Sequence, residues 1–228
     1  MNERITGISS MATRQLLADL ARAHAERSGD TVAIEAVGGV DAARRVQAGE
    51  PFDVVVLASD AIDRLIASGH LIGERVDLVR SPVAVAVRAG AARPDVSSGD
   101  AVRRAVLAAP RIGYSTGPSG THLQRLFEHW GIVEQIRSRI VQAPAGVPVA
   151  TLIARGDVEL GFQQLSELMH LDGVDVLGLL PPDIEFVTTF SAGLCARAMH
   201  VAAVRAMLAF MTSPEVADVK RRHGMEPA

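Results

Sequence analysis

Small hydroxyl side chains and glycines recur in this sequence where apolar strand patterns give way to helical patterns. The segment ITGISSMATRQLLADL (5–20) places Ser9 and Ser10 at the first such junction. The first amides of a helix have no acceptor within it, so a hydroxyl at this position can cap the helix or join the amides in binding an anion. The residues alone leave both interpretations open, and a cap is the ordinary one for a single junction.

The later junctions offer the same chemistry through hydroxyls, carboxamides and backbone amides. The residues at these junctions are Gly38, Gly39, Ser59, Asp60, Ser115, Thr116, Ser119, Gly120, Gly146, Val147, Pro148, Gln163, Gln164 and Ser166. Each has a structural alternative, because a glycine can permit a tight turn and a serine can cap a helix. Their recurrence favours a pocket of neutral donors, which binds an anion without burying a full counter-charge.

Alternating strand and helix patterns must position these residues. Such alternation predicts an α/β fold with mostly parallel sheets. Strands are predicted at 4–9, 31–37, 53–58, 77–87, 111–115, 139–143, 158–163, 174–180 and 184–196. Strong helical patterns cover 11–27, 61–70, 98–109, 120–131 and 201–222.

Two long strand patterns stand apart from the short strand–helix units and predict crossovers between two lobes, near residues 80–88 and 186–194. The first lobe would comprise residues 1–80 plus 192–228, and the second would comprise residues 81–191. A ligand would then lie in a cleft where strand ends from both lobes face each other. We expect such a cleft to narrow when the ligand binds.

Composition excludes several classes of protein. Of the 228 residues, 48% are hydrophobic and 21% are charged, and the formal net charge is -3. Without an excess of positive charge, neither nucleic acid nor an anionic membrane surface is an expected partner. The single cysteine, Cys195, rules out an internal disulfide, and the histidines lack ligand-like spacing, so no metal site is predicted. GxSxG, GxGxxG, Walker-type and HExxH motifs are also absent.

The sequence also carries expectations about location. No run of about 18 apolar residues occurs, so no transmembrane helix and no membrane insertion is predicted. The first ten residues, MNERITGISS, do not have the pattern of a signal peptide. This predicts a cytoplasmic protein, or a periplasmic one if a leader peptide has been removed.

The order of the motifs resembles the molybdate-binding solute-receptor family, whose fold is that of the type II periplasmic binding proteins. The resemblance rests on ISS before the first helix, on GGVDAARRVQAGEPFDVVVLASD and on APAGVPVATLIARGDVELGFQQLSEL, and it spans nearly the whole chain. It implies that Ser9 or Ser10 supplies a hydroxyl and an amide to the oxyanion. It also implies ligand contacts from the STGPSG loop, the GFQQ strand end, Gly39, Val40, Val147 and Pro148.

Two departures from that family's pattern favour a planar carboxylate over a tetrahedral oxyanion. Gly38, Gly39 and Val40 stand where a serine usually follows the second strand, and Gln163 and Gln164 stand near the usual ligand-contacting tyrosine. The resemblance extends to the related aconitate isomerase branch, which is cofactor-free. We therefore expect a cofactor-free isomerase of an unsaturated di- or tricarboxylic acid. The alternative is a non-catalytic receptor for molybdate or a similar oxyanion, with an ABC permease as its partner.

An isomerase that shifts a proton needs a base beside the acidic carbon and donors aimed at the developing enolate oxygen. The expected donors are Ser9, Ser10, Ser119 and the Gly120 amide. The candidate bases are His122, Asp41 and Asp60, with Tyr114 and Glu167 less favoured. Each candidate has an ordinary alternative, since a histidine early in a helix can face water and a carboxylate there can stabilise the helix N-terminus.

Overall fold

The computed structural model describes residues 3–144 and 146–228, and the chain divides into two compact units. The first unit ends at Arg80 and resumes at Thr189, and the second spans Ser81–Thr188. Two strands are shared between the units, since each contains one of these boundaries. Within the described residues, no helix is both long and apolar enough to cross a membrane.

The strands follow the predicted order along the chain. They are β1 (Arg4–Ser10), β2 (Thr31–Val37), β3 (Val54–Ala58), β4 (Leu71–Arg88), β5 (Ile112–Tyr114), β6 (Ile140–Gln142), β7 (Leu160–Gln164), β8 (Val174–Leu179), β9 (Val187–Cys195) and β10 (Glu226–Pro227). The short strand β10 was not predicted, and β4 begins earlier than its apolar pattern because its first half is mostly exposed.

The helices lie between these strands and near the carboxyl terminus. They are α1 (Arg14–Ser28), α2 (Gly39–Gln47), α3 (Ser59–Ala67), α4 (Gly99–Ala108), α5 (Pro118–His129), α6 (Val133–Ile136), α7 (Val149–Arg155), α8 (Leu165–Leu168), α9 (Val201–Thr212) and α10 (Ala217–Arg222). The prediction of one continuous helix over 201–222 was wrong. Ser213 is extended, with φ -67° and ψ 152°, because the following Pro214 disfavours a helical conformation at the residue before it.

The sheet of the first unit has β1 in a parallel arrangement between β2 and β3, with β9 antiparallel beside β3. Helices α1 and α9 cover one face, where Leu16, Leu20 and Met207 are buried. Helices α2 and α3 cover the other face, where Val46 and Ile62 are buried. Because β1, β2 and β3 are parallel, their carboxyl ends reach the same edge of the sheet.

The second unit repeats this construction with different helices. Strand β5 lies parallel between β6 and β7, and β4 runs antiparallel to β7 and β8. Helices α4, α5 and α6 contribute Val102, Phe127 and Ile136 to the core on one face. Helices α7 and α8 contribute Ile153 and Leu168 on the other. The carboxyl ends of β5, β6 and β7 therefore also share one edge.

Candidate functional site

The polar edge of the first unit brings together three junctions that the sequence singled out. Ser10, at the end of β1, pairs with Val37 at the end of β2, and Ser9 pairs with Val56 in β3. Each strand is followed within two residues by a helical turn, the one after β1 being the 3-10 turn Met11–Thr13. The first amides of these helical turns therefore point toward one edge of the sheet, as an anion site requires.

Ser10 is the serine with the clearest capacity to bind a ligand. Ser10 is 8% exposed, and its hydroxyl makes no helix-capping hydrogen bond. Among the described residues its Oγ, which is itself buried, has no hydrogen-bond partner. A buried hydroxyl without a partner is energetically costly. Ser10 therefore fits the role of a hydrogen-bond donor to a bound anion better than that of a helix cap.

Ser9 is fully buried and lies deeper in the sheet. Its Oγ donates to the Glu35 carbonyl oxygen at 3.5 Å, which is a long hydrogen bond. Within the part of the chain that the structure describes, Ser9 Oγ therefore has a hydrogen-bond acceptor and Ser10 Oγ has none. Of the two serines, Ser10 is therefore the one that we expect to contact the ligand.

The start of α2 adjoins Ser10. A Cβ atom placed on Gly39 would lie 3.7 Å from Ser10 Cβ, so the two residues are neighbours. The first hydrogen bond of the helix joins the Ala42 amide to the Gly38 carbonyl oxygen, which leaves the earlier amides of α2 outside the helical ladder. Val40 is 74% exposed, as single apolar side chains at a protein surface often are.

The third junction of this unit holds Ser59, whose hydroxyl is bound within the protein. Ser59 Oγ donates to the Thr189 carbonyl oxygen at 3.0 Å and lies 2.6 Å from Ser191 Oγ. Ser191 donates in turn to Asp77, and this bond, joined by Arg75, outweighs burial and lowers the pKa of Asp77. Ser59 thus has a structural role in joining α3 to β9, and its predicted ligand contact stays a prediction.

Two of the three candidate bases are paired with arginines on their own helices. Asp41 binds Arg44 in the first turns of α2, and Asp60 binds Arg64 in α3 at 2.8 Å. Both carboxylates lie in the first turn of their helix, where a negative charge stabilises the helix N-terminus. The structure therefore gives each a complete structural explanation, and neither has the enclosed position that a base in a dry site needs.

The corresponding edge of the second unit contains a second pair of serines. Ser115 follows β5 and Ser119 lies in the first turn of α5, with their Oγ atoms 3.2 Å apart. The Gly117 amide donates to Ser115 Oγ at 3.3 Å, whereas Thr116 is exposed. Ser119 is 2% exposed, and the helix that it begins is 12 residues long.

Gly120 allows α5 to approach the end of β5. A Cβ atom at Gly120 would lie 1.7 Å from the Ser115 carbonyl oxygen, far inside the contact distance of real atoms. Only glycine lets the helix approach this closely, so Gly120 positions Ser115 and Ser119 relative to each other.

His122 is the candidate base that lies in α5. Its ring stacks on Phe186, with 4.3 Å between ring centroids, and its other contact is with the backbone of Ile184. Burial lowers the pKa of His122, and the bond to Ile184 only partly counteracts it. Its Nε2 is buried without a partner among the described residues. The ring is thus held by packing, while this nitrogen is left without a protein partner in the described part of the chain.

The end of β7 holds Gln163 and its hydrogen-bond partners. Gln163 Oε1 accepts from the Val149 amide at 2.7 Å, and its Nε2 donates to Glu167 Oε1 at 2.7 Å. Val149 opens α7 directly after Val147 and Pro148, the predicted ligand segment. Gln163 therefore connects that segment to Glu167, and its own carboxamide is occupied at both ends.

Gln164 is bound on the opposite face of β7. With its amide oriented to satisfy all neighbours, its oxygen accepts from Thr188 Oγ1 at 2.8 Å and its nitrogen donates to the Ser81 carbonyl oxygen at 2.9 Å. It is 2% exposed. The structure thus accounts for both glutamines through internal hydrogen bonds, and a direct ligand contact from either stays a prediction.

Glu167 is the ionisable residue of this edge, and the sequence favoured it less as a base than His122, Asp41 and Asp60. It lies in α8, immediately after β7, and is half-buried. Burial raises its pKa to about 7, against the lowering effect of the Gln163 hydrogen bond. The sequence offered one signal for it, a carboxylate placed four residues after a strand-end glutamine. The enclosure that alters its acidity depends on α7, which no pattern around Glu167 reveals.

No metal centre accompanies these groups: in residues 3–144 and 146–228, no set of three or more His, Cys, Asp and Glu side chains could hold an ion. The donors at the two edges are hydroxyls and helix amides, and Arg44 and Arg64 of the first unit are paired with carboxylates. What these edges can do chemically is to hold a small anion by neutral donors.

Comparison with known proteins extends the sequence resemblance. A family model described as bacterial extracellular solute-binding protein matches residues 5–226. The chain is 34% identical over 230 residues to an aconitate isomerase from a Pseudomonas species, covering 98% of this chain and 87% of the relative. The predicted similarity to the molybdate-receptor group, including its aconitate isomerase branch, is thereby confirmed.

Solved structures agree on the fold. The periplasmic molybdate-binding protein of Azotobacter vinelandii superimposes with a TM-score of 0.80 at 18% identity, covering 98% of this chain and 99% of that one. A sulfate-binding protein from Mycobacterium tuberculosis H37Rv gives a TM-score of 0.81 at 16% identity, covering 100% and 88%. At such identities the likeness concerns the fold alone, and it confirms the predicted α/β fold of the two-lobed binding proteins. With a family match over nearly its whole length and this fold, the chain belongs to the bacterial extracellular solute-binding protein family.

Proposed function

We propose that this protein is an isomerase of aconitate that interconverts the cis and trans forms. The observation that carries the proposal is the 34% identity to an aconitate isomerase over 98% of the chain. The site supports it through two edges of neutral donors, which suit a substrate with several carboxylates.

The reaction can be written as a proton shift between two carbons. A base removes a proton from the methylene carbon of aconitate, the double bond moves to include that carbon, and a proton is delivered to the former vinyl carbon. One C–H bond breaks and another forms, so the atoms balance and no redox cofactor is required. Hydrogen-bond donors of the protein that face the neighbouring substrate carboxylate stabilise the negative charge that develops on it as the proton leaves.

The residues assigned to substrate binding are a subset of those that the sequence predicted. In the first unit we assign Ser10 and the first amides of α2, including those of Gly39 and Val40. In the second unit we assign Ser115 and Ser119 with the first amides of α5. The segment of Val147 and Pro148 completes the set. Hydroxyls and amides of this kind bind carboxylates without a metal.

A second candidate function is that of a non-catalytic receptor for a small oxyanion. The family as a whole is described as solute-binding, and the unpartnered Ser10 hydroxyl serves either role. A receptor would lie outside the inner membrane and deliver its ligand to an ABC permease, whereas the isomerase needs no protein partner. Cell fractionation separates the two, since the cytoplasmic location expected for the isomerase is incompatible with the receptor function.

Incubation with substrate in heavy water tests the function directly. We expect trans-aconitate to yield the cis isomer, with deuterium entering the methylene position, both followed by NMR. A chelator should leave the rate unchanged. Saturable binding of molybdate without any turnover of aconitate would instead establish the receptor, and metal-dependent turnover would overturn the proposed cofactor-free mechanism.

Ser10→Ala should weaken substrate binding by about tenfold or more, because a hydroxyl donor to a charged group contributes about 1.5 to 3 kcal/mol. The free energy of unfolding should stay constant or rise, since the buried hydroxyl has no partner among the described residues and its removal relieves a desolvation cost. Calorimetric titration with trans-aconitate and thermal unfolding, performed on the same variant, measure the two effects.

Ser98→Ala is the matched control for that substitution. Ser98 Oγ accepts from the Ala101 amide at 3.2 Å and so caps α4. Its loss should lower stability by about 1 kcal/mol and leave binding unaffected. If Ser10→Ala behaves like Ser98→Ala, the hydroxyl of Ser10 does not belong to the site.

A further inference from the structure

The geometry points to Glu167 as the base that removes the methylene proton and, after exchange with solvent, delivers a proton to the former vinyl carbon, an inference that rests on the proposed isomerase function. The carboxylate lies at the edge formed by the ends of β5, β6 and β7, two residues into the short helix that follows β7. We assign the proton transfer to its Oε2 atom. Gln163 acts as a positioning residue, and it is assigned no contact with substrate.

The first argument is that the carboxylate is held in a fixed orientation. The Val149 amide donates to Gln163 Oε1 at 2.7 Å, which determines that the nitrogen end of the carboxamide faces Glu167. That nitrogen donates to Glu167 Oε1 at 2.7 Å. One carboxylate oxygen is thereby engaged by the protein while the group remains half-buried rather than sealed. A catalytic group needs this kind of support from a second layer of side chains.

The second argument is its position beside a predicted ligand segment. The amide that orients Gln163 belongs to the residue directly after Val147 and Pro148. Both contacts lie within the second unit, so Glu167 and this segment are linked through a single side chain. A substrate carboxylate bound by the segment would bring its adjacent methylene carbon toward the Glu167 carboxylate.

The third argument is the acidity of the group. Burial raises the pKa of Glu167 to about 7, so near neutral pH it is present both as a base and as an acid. Strand β7 and the rest of α8 carry no charged residue. Helix α7 and strand β8 also pack against α8. Arg155 lies exposed at the end of α7, and Asp175 of β8 pairs with Arg93 at 3.5 Å. Burial and Gln163 therefore govern the acidity of this group.

The other candidate bases lack this combination. Asp41 and Asp60 are paired with arginines of their own helices, and His122 is stacked on Phe186. Tyr114 is 3% exposed, and its hydroxyl lies 3.4 Å from Gln124 Nε2. Among these ionisable residues, Glu167 has both a carboxylate held in a fixed orientation and a pKa near neutrality.

The decisive experiment compares the wild-type protein with Glu167→Gln, which keeps the shape but removes the base. We expect kcat for aconitate isomerisation to fall about 100-fold to 10,000-fold and methylene deuterium exchange to fall equally. Binding of trans-aconitate, measured by calorimetry, should change by only a few fold. Glu159→Gln is the matched control, because Glu159 lies in the same unit on the surface, where it pairs with Arg111; its kcat should equal that of the wild type.

The outcomes separate this inference from the proposed function. A wild-type protein that neither isomerises aconitate nor exchanges its protons overturns the proposed function. A wild-type protein that does so, with Glu167→Gln retaining its kcat, overturns the role of Glu167 alone. If Glu167→Gln does not fold, Glu167→Asp provides the test: it should lower kcat and displace the apparent pKa of the pH profile from its value near 7, and an unchanged profile would contradict the inference.

The positioning role of Gln163 is tested by Gln163→Met. Losing the hydrogen bond that lowers the pKa of Glu167 should raise that pKa, so the rising limb of the kcat profile should shift to higher pH. A purely structural role would lower stability without moving that limb.

Discussion

Asp53→Ala is expected to destabilise the protein by about 3 kcal/mol or more. Asp53 is 2% exposed, and its Oδ2 accepts from the Thr6 amide at 2.9 Å and from Thr6 Oγ1 at 3.0 Å. Its Oδ1 accepts from the amides of Met199 and His200 at 2.8 and 3.2 Å. Hydrogen bonds to a charged group contribute about 1.5 to 3 kcal/mol each, and alanine would leave buried donors without partners.

The dependence on pH follows from the direction of the pKa shift. Burial opposes ionisation of Asp53, but its backbone and hydroxyl hydrogen bonds outweigh burial and lower its pKa below the ordinary 3.8. The stability that it contributes is therefore complete above that ordinary value and is lost as the pH falls through the lower, folded-state value. The gap between wild type and variant should be full at pH 7 and should close in strong acid.

Chemical denaturation at several pH values measures this effect. Asp218→Ala is the control, since the Asp218 side chain is 85% exposed and pairs with Arg221 in the same helix. That substitution should change stability by less than about 0.5 kcal/mol. Equal stability of the Asp53 and Asp218 variants would show that the buried carboxylate does not join β1 to the segment before α9 as described.

Gly120→Ala is expected to cause the second large effect, on stability and on the site together. The new methyl group would lie 1.7 Å from the Ser115 carbonyl oxygen, which is backbone and cannot rotate away. Helix α5 or the end of β5 must then move. Overpacking of this kind costs about 1 to 3 kcal/mol and sometimes more. The displacement should also separate Ser115 from Ser119 and weaken substrate binding.

Gly117→Ala is the control from the same loop. Its φ of -80° is accessible to alanine, and the nearest atom to a new methyl group would be Ser115 Oγ at 3.5 Å, an ordinary contact. Thermal unfolding and calorimetric binding of trans-aconitate should be close to wild type for this variant and strongly impaired for Gly120→Ala. Similar behaviour of the two variants would contradict the close approach of helix and strand.

The sequence by itself determined the order of elements and the edge that each candidate residue occupies. Strand β2 was predicted at its observed bounds and β3 to within one residue, because apolar periodicity and turn residues are local properties of the chain. Once the strands are parallel, their carboxyl ends share an edge, so Ser10, Gly39 and Ser59 lie at the same edge of the sheet. The prediction overlooked the break between α9 and α10, although Pro214 in the sequence indicates it.

Only the tertiary structure decided which of these residues keep a polar group available to a ligand. Ser10 and Ser59 look alike in sequence, yet Ser59 is bound to Thr189, 130 positions away, and Ser10 has no described partner. Gln163 is occupied by the amide that opens α7, and the enclosure by packed helices raises the pKa of Glu167. Hydrogen-bond partners and desolvation depend on residues distant in sequence, so a local pattern can place a polar group but cannot tell whether the fold leaves it available to a ligand.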